Sequence, residues 1–147
     1  MSELRRDPVM GRWVIIAPER RIRPEQMGLP ATVRQAGPCV FCGGEEGLDP
    51  HEIYAIRSNS SPRNTPGWHV RVLPNKFPVL RIEDKLTREG VGMFDMMAGV
   101  GAHEVIVETP DHQVELADLP EPHIGSILRT YRDRMHDLGG DDRFKYV

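Results

Sequence analysis

The sequence has only two cysteines, no long apolar run and no large excess of one charge. Two thiols cannot build the disulfide framework of a small secreted domain. No apolar stretch approaches the roughly 20 residues of a membrane-spanning helix, and the charged start "MSELRRDP" does not resemble a signal peptide. A net charge of -3 argues against a general nucleic-acid binder. These absences predict a globular protein of the reducing cytoplasm, with no membrane and no nucleic acid among its partners.

Thirteen prolines and fourteen glycines in 147 residues predict short elements joined by frequent loops. Apolar alternation predicts strands at residues 12–17, 52–57, 69–74 and 103–109, and a further strand begins at residues 143–147. Residues 83–101 show no strong period and are expected to form a mobile loop. One apolar stripe predicts a helix that follows Pro122 and ends at Gly139 and Gly140; it consists of Ile124, Ile127, Leu128, Tyr131, Met135 and Leu138. The pattern predicts an α+β domain over residues 1–147, with a mostly antiparallel sheet and one main helix.

The two cysteines stand in "CVFCGGEE" (residues 39–46), where C-x-x-C spacing can direct two thiolates at one zinc ion. Gly43 and Gly44 are expected to turn their amides toward the sulfurs. The alternatives are a redox pair and two incidental thiols. Histidine is the expected type of further ligand. Six are available, at positions 51, 69, 103, 112, 123 and 136. His112 follows a strand in "TPDH", where a loop can aim its ring, and His103 lies at the start of the same strand. His123 and His136 of the helix are interpreted as surface residues.

Two further segments carry groups that suit an anionic nucleotide. "APERRIRP" (residues 17–24) follows the first predicted strand, and Arg20 and Arg23 could face one phosphate with their planar guanidinium groups. In "LPNKFPVL" (residues 73–80) the amide of Asn75 could meet a ribose or base, and Lys76 a phosphate. The plain alternatives are a solvated arginine cluster and an ordinary turn.

Taken together, "DPVMGRWVIIAPERRIRP", "CVFCGGEE", "VRVLPNKFPVL" and "GAHEVIVETPDH" occur in the order and spacing of one family. The chain resembles the amino-terminal part of galactose-1-phosphate uridylyltransferase, a nucleotidyltransferase family of the histidine-triad superfamily. The resemblance implies that Cys39, Cys42 and His112 ligate a structural zinc ion, with a fourth ligand beyond Val147. It also implies that Arg20, Arg23, Asn75 and Lys76 contact the nucleotide, and that the protein is a homodimer.

The reaction that the resemblance implies is a double displacement. A histidine attacks the α-phosphorus of UDP-glucose and releases glucose 1-phosphate, and galactose 1-phosphate then takes the uridylyl group from that histidine. The family's nucleophile lies in a His-Pro-His motif, which this chain does not contain. We therefore expect no catalytic residue in this chain, an incomplete histidine-triad-like sheet, and little activity from these 147 residues alone.

Two other functions stay open on the sequence alone. An adenylyl-handling relative, such as an ADP-sugar phosphorylase-like enzyme, fits the same motifs, because they do not determine the base. A zinc-binding interaction module without chemistry of its own fits the absence of the nucleophile.

Overall fold

A computed structural model describes residues 2–18, 39–58 and 60–147. Its elements, in chain order, are β1 (Glu3–Arg6), β2 (Trp13–Ile16), β3 (Tyr54–Arg57), β4 (Trp68–Pro74), β5 (Arg88–Val91), β6 (Phe94–Ala98), β7 (Glu104–Val107), a 3-10 helix (Leu116–Asp118) and α1 (Glu121–Gly139). They form two compact units. The first unit contains β1, β2, β5 and β6, and the second contains the other elements. The α+β class with mostly antiparallel strands and one main helix is confirmed.

The second unit is a three-stranded antiparallel sheet, in the order β3-β4-β7, with α1 packed against the central strand. The core between them is formed by Val70 of β4, Leu119 and Ile127, all buried. Pro122 lies in the first turn of α1, where its missing N–H leaves no hydrogen bond unmade. The helix is confirmed, but its apolar stripe is buried only in part: Ile127 lies in the core, and Ile124 and Tyr131 pack against it. Leu128 and Met135 are more than half exposed, so the expectation of one buried stripe is wrong for these two residues.

A bulge in β4 turns Trp68 to the face of this sheet that also carries Arg71, opposite the face of Val70. Ile56 pairs with Val70 but Arg57 pairs with Trp68, so β4 has one more residue than β3 between these pairs. An extra residue reverses the alternation of side chains. Trp68 therefore shares a face with Arg71, and both are almost fully buried.

Residues 46–52, here called the acidic loop, cover that second face. Arg71 has no exposed surface, and its guanidinium lies 3.5 Å from Asp49 and 3.4 Å from Glu52. Glu52 also pairs with Arg57 at 2.6 Å. A cation can be buried in a sheet only where carboxylates offset its lost hydration, and the acidic loop supplies them.

The first unit is a four-stranded antiparallel sheet in the order β2-β1-β6-β5. Its β5–β6 hairpin lies where the sequence analysis expects a mobile loop, and that expectation is wrong. Val91 pairs with Phe94 across a two-residue turn in which Gly92 has φ 62°. A glycine with positive φ at the start of such a turn matches the twist of a hairpin.

The strand expected at residues 143–147 is also absent from the described structure, which has turns there. Asp141 accepts hydrogen bonds from the backbone N–H and the guanidinium of Arg143. The carbonyl of Asp141 accepts the N–H of Phe144. These local bonds hold the chain in a turn, and those from Arg143 lower the pKa of Asp141 to about 2. The described structure has no helix with both the length and the apolar character needed to cross a bilayer.

Candidate metal centre

The structure brings together the three residues that the sequence analysis assigns to zinc. One ligand atom from each of Cys39, Cys42 and His112 lies within 4.8 Å of the others. The Sγ of Cys42 is 3.6 Å from Nδ1 of His112. A tetrahedral zinc ion with ordinary bond lengths separates a sulfur and a nitrogen ligand by about 3.6 Å. Two thiols and one imidazole at this spacing fit zinc, and metal binding itself stays a prediction.

Two short backbone segments hold these ligands, and one hydrogen bond joins them. Residues 39–44, here called the cysteine turn, close through the N–H of Cys42, which donates to the carbonyl of Cys39 at 3.0 Å. The N–H of Gly43 donates to the carbonyl of Pro110 at 3.0 Å. A Cβ on Gly43 would lie 3.2 Å from the Pro110 side chain, so a larger residue would press the segments apart. The cysteine turn is thus fastened directly to the segment that carries His112.

The segment around His112, residues 109–113, is here called the histidine loop. The N–H of Asp111 donates to Thr109 Oγ1 at 3.2 Å, and the N–H of Gln113 donates to Asp111 Oδ1 at 2.9 Å. Side chains of this kind satisfy a turn without a strand partner. They leave His112 exposed while its Nδ1 faces the thiol of Cys42.

The electrostatics of the thiols favour a cation. Desolvation raises the pKa of Cys42, and the neighbouring Cys39 and the charge of Asp111 raise it further, against a hydrogen bond from the backbone of His112. Two thiolates side by side repel each other, and a zinc ion reverses that cost because it binds the deprotonated form.

The amides of Gly43 and Gly44 do not turn toward the sulfurs, so that detail of the sequence analysis is wrong. Gly43 donates to Pro110, and Gly44 donates to both carboxylate oxygens of Glu46 at 3.1 Å. Gly44 has φ 100°, a conformation that residues with a side chain rarely adopt. The second glycine is needed for the turn itself and not for contacts with sulfur.

Glu46 and Trp68 are the residues near this centre that sequence reasoning missed. Trp68 Nε1–H donates to Glu46 Oε1 at 2.7 Å, and both residues are buried, with 2% exposure for Trp68 and 4% for Glu46. Burial alone would raise the pKa of Glu46, but the hydrogen bonds from Trp68 and Gly44 and the charge of Arg71 lower it below its usual range. The signal was present in "CVFCGGEE", since an acid two residues after a glycine pair can accept a turn amide.

Other histidines have different roles. His123 is half-buried and not a plain surface residue, because its Nε2–H donates to the carbonyl of Glu108 at 2.7 Å and its ring meets the His69 ring edge-on at 5.9 Å. His103 Nδ1 accepts the N–H of Val79 at 3.2 Å. His51 Nδ1 lies 3.1 Å from the amide of Asn64. None of these three histidines belongs to the metal group found among the described residues.

The residues expected at the nucleotide are placed only in part. Asn75 is half-buried and Lys76 exposed, directly after the end of β4. Trp68, the partner of Glu46, lies at the start of this seven-residue strand, so a strand length of roughly 20 Å separates Trp68 from Asn75. Burial raises the pKa of Asp49, whereas the charges of Arg71 and Lys76 act against that rise. Arg20 and Arg23 lie outside the described residues.

Known proteins resemble this chain along nearly all of its length. ADP-glucose phosphorylase of Arabidopsis thaliana is 32% identical over 150 residues, which cover 99% of this chain and 41% of that protein. Galactose-1-phosphate uridylyltransferase of Thermotoga maritima is 28% identical over 148 residues, which cover all of this chain and 39% of that protein. No protein-family model matches the chain.

Structural comparison gives the same relatives. A crystal structure of the Arabidopsis ADP-glucose phosphorylase with bound ADP-glucose matches with a TM-score of 0.58 and 30% identity, over 99% of this chain and 41% of that one. The chain spans about two fifths of the length of the curated relatives it matches. The motifs, the fold and these relatives agree: the chain is homologous to proteins of the galactose-1-phosphate uridylyltransferase family.

Proposed function

We propose that the protein is a nucleotidyltransferase that acts on sugar nucleotides, and that residues 1–147 are its amino-terminal nucleotidyltransferase region. The observation that carries this proposal is the group of Cys39, Cys42 and His112, found at zinc-binding distances in a chain with these relatives. No residue of this chain is assigned the nucleophile's role.

The zinc ion of this proposal is structural. Bound to the three residues, zinc would hold the cysteine turn against the histidine loop. Metal analysis is expected to find about one zinc per chain, and Cys39→Ser and His112→Ala should each lower it. His136→Ala, which changes an exposed histidine outside the group, is the control and should leave the zinc content unchanged. Equal zinc in all four proteins would remove the ligand assignment.

The leading reaction is uridylyl transfer from UDP-glucose to galactose 1-phosphate through a uridylyl-histidine intermediate, in a cytoplasmic homodimer. The Thermotoga relative supports it by name. A neutral imidazole attacks the α-phosphorus and glucose 1-phosphate leaves with the bonding electrons; galactose 1-phosphate then displaces the histidine. In this proposal Arg20, Arg23 and Lys76 offset the phosphate charge, and Asn75 lies along the nucleoside.

The second candidate is phosphorolysis of an ADP-sugar, and a specific observation favours it. The Arabidopsis ADP-glucose phosphorylase is 32% identical to this chain, against 28% for the uridylyltransferase. The two reactions differ in base and in acceptor, since the phosphorylase uses inorganic phosphate where the transferase uses a sugar phosphate.

One assay separates them. The purified protein, with the nucleophile-bearing region that this proposal places beyond residues 1–147, is supplied with UDP-glucose and galactose 1-phosphate in one reaction, and with ADP-glucose and phosphate in another. The released glucose 1-phosphate is measured in both. Turnover of the first pair supports the uridylyltransferase, and turnover of the second supports the phosphorylase. A protein that binds zinc but neither turns over these substrates nor binds either nucleotide would favour the interaction module instead.

A further inference from the structure

Glu46 lies between the cysteine turn and the sheet, and it contacts both. One of its carboxylate oxygens accepts the indole N–H of Trp68 at 2.7 Å. The same carboxylate accepts the N–H of Gly44, two residues after the second cysteine, at 3.1 Å. A charged acceptor makes both bonds stronger than a neutral one would.

The hydrogen bonds of Glu46 to Gly44 and Trp68 are here called the Glu46 bridge, and its end at the sheet is rigid. Trp68 begins the central strand, has 2% exposure, and faces Glu46 only because the β4 bulge turns it to that side. The backbone carbonyl of Glu46 also lies 3.4 Å from the buried Arg71 guanidinium. Glu46 is thus fixed by two residues of one strand, through its side chain and its backbone.

At the cysteine turn, the Glu46 bridge provides the acceptor for the backbone N–H of Gly44. Gly44 has φ 100°, and its N–H donates to the Glu46 carboxylate, whereas the Cys39 carbonyl accepts the N–H of Cys42. Without the carboxylate this amide would lose its acceptor, and the glycine could leave its conformation at little steric cost.

We propose that Glu46 is a positioning residue that holds the cysteine turn in its ligand-presenting conformation before any metal binds. It does not ligate the metal; it connects Cys42, through the Gly44 amide, to the start of β4. The functional role of Glu46 rests on the proposed zinc site. Its hydrogen bonds to Gly44 and Trp68, however, form in the chain without a metal. Groups that orient ligands in this way typically change metal affinity by about 10- to 100-fold when they are lost.

The test uses two measurements on five proteins: wild type, Glu46→Gln, Trp68→Phe, the double variant with both of these changes, and Glu45→Gln. The first is the hydrogen-exchange rate of the Gly44 amide in metal-free protein. The second is the zinc dissociation constant, obtained by competition with a chromophoric chelator. Glu46→Gln keeps the size of the side chain but removes its charge, Trp68→Phe keeps a ring but removes the indole N–H, and Glu45→Gln makes the same change one position earlier.

We expect Glu46→Gln to speed Gly44 exchange and to weaken zinc binding about tenfold. Trp68→Phe should act in the same direction but less, and the double variant should be no worse than Glu46→Gln, because both changes break one bridge. Glu45→Gln should match wild type. Far-UV circular dichroism identifies any variant that unfolds, and Trp68→Phe, the milder change, then decides the question.

Wild-type Gly44 exchange in Glu46→Gln would overturn the inference, and so would additive effects of the two changes. If wild type binds no zinc, the proposed metal site fails, while the exchange measurement still decides whether Glu46 holds the turn. The two failures are therefore distinguishable.

Discussion

At the scale of single residues, Arg71 is a fully buried cation of the second unit, and its charge is offset by buried carboxylates. Its Nε and Nη1 atoms, like Asp49 Oδ2, have no hydrogen-bond partner among the described residues, so its pairs with Asp49 and Glu52 are ionic contacts at 3.4–3.5 Å. Removing the cation would leave the buried Asp49 without its ion pair, whereas Glu52 would keep its pair with Arg57. We expect Arg71→Met to lower the free energy of unfolding by about 3–5 kcal/mol, measured by urea denaturation.

The matched control is Arg132→Met on the exposed face of α1. Arg132 pairs with Asp133 at 2.6 Å, but both side chains are more than half exposed. Exposed pairs contribute little, so this variant should change stability by less than about 1 kcal/mol. Equal losses in the two variants would show that burial of the Arg71 pairs is not what stabilises the sheet.

Glu46 gives the protein a specific response to acid. Its pKa in the folded protein lies below the ordinary value of 4.5, so folding favours its carboxylate form. The stabilisation is fully present above about pH 4.5 and disappears as the pH falls through the lower, folded pKa. The free energies of unfolding of wild type and Glu46→Gln, measured by urea denaturation, should therefore differ most above about pH 5, and the difference should shrink as the pH falls below the ordinary value of 4.5. A difference that stays constant with pH would contradict the ionised bridge.

At the scale of elements, the sequence analysis succeeded where burial on one face imposes a regular period. The α1 stripe and strands β3, β4 and β7 were predictable because one core, around Val70 and Ile127, selects their apolar side chains. The β5–β6 hairpin was not, because β5 is exposed along its whole length and has no such period. The bulge at the start of β4 was equally invisible, since it depends on pairing with β3.

The candidate metal centre also has one part that could be predicted from the sequence and one part that could not. The pairing of Cys39 and Cys42 was predictable from their spacing, whereas His112 was assigned through the family resemblance. The bridge through Glu46 and Trp68 was not predictable, because it joins residues 22 apart whose contact depends on the bulge. Sequence spacing shows which atoms can bind a metal, whereas the groups that hold them depend on tertiary pairing.

The hairpin offers a test at this scale. Gly92 has φ 62°, so Gly92→Ala would place a side chain in a left-handed conformation that costs about 1 kcal/mol. Exchange of the Met96 and Met97 amides in β6 should then be about fivefold faster. Gly90→Ala, two residues earlier, has open space for its Cβ and no positive φ, and should leave these rates unchanged. Equal rates in both variants would show that the turn does not set the stability of the hairpin.

At the scale of the whole molecule, the two units are expected to differ in whether zinc stabilises them. The three candidate ligands, the cysteine turn and the histidine loop all belong to the second unit. Zinc that binds only the folded form stabilises it by about 2.7 kcal/mol at a free concentration about one hundred times the dissociation constant. We therefore expect zinc to slow amide exchange in β4 and β7, by up to about 100-fold for amides that exchange through opening of this unit. A chelator should reverse the effect.

The amides of β1 and β6 provide the internal control, because the described part of the first unit contains no candidate ligand. Their exchange should be the same with and without zinc, and Cys39→Ser should abolish the response of β4 and β7. Equal slowing in both sheets would mean that the units open as one, and slowing that persists in Cys39→Ser would place the metal elsewhere. Slowing confined to the second unit is the expected result if zinc fastens the histidine loop beyond β7 to a cysteine turn already held by Glu46.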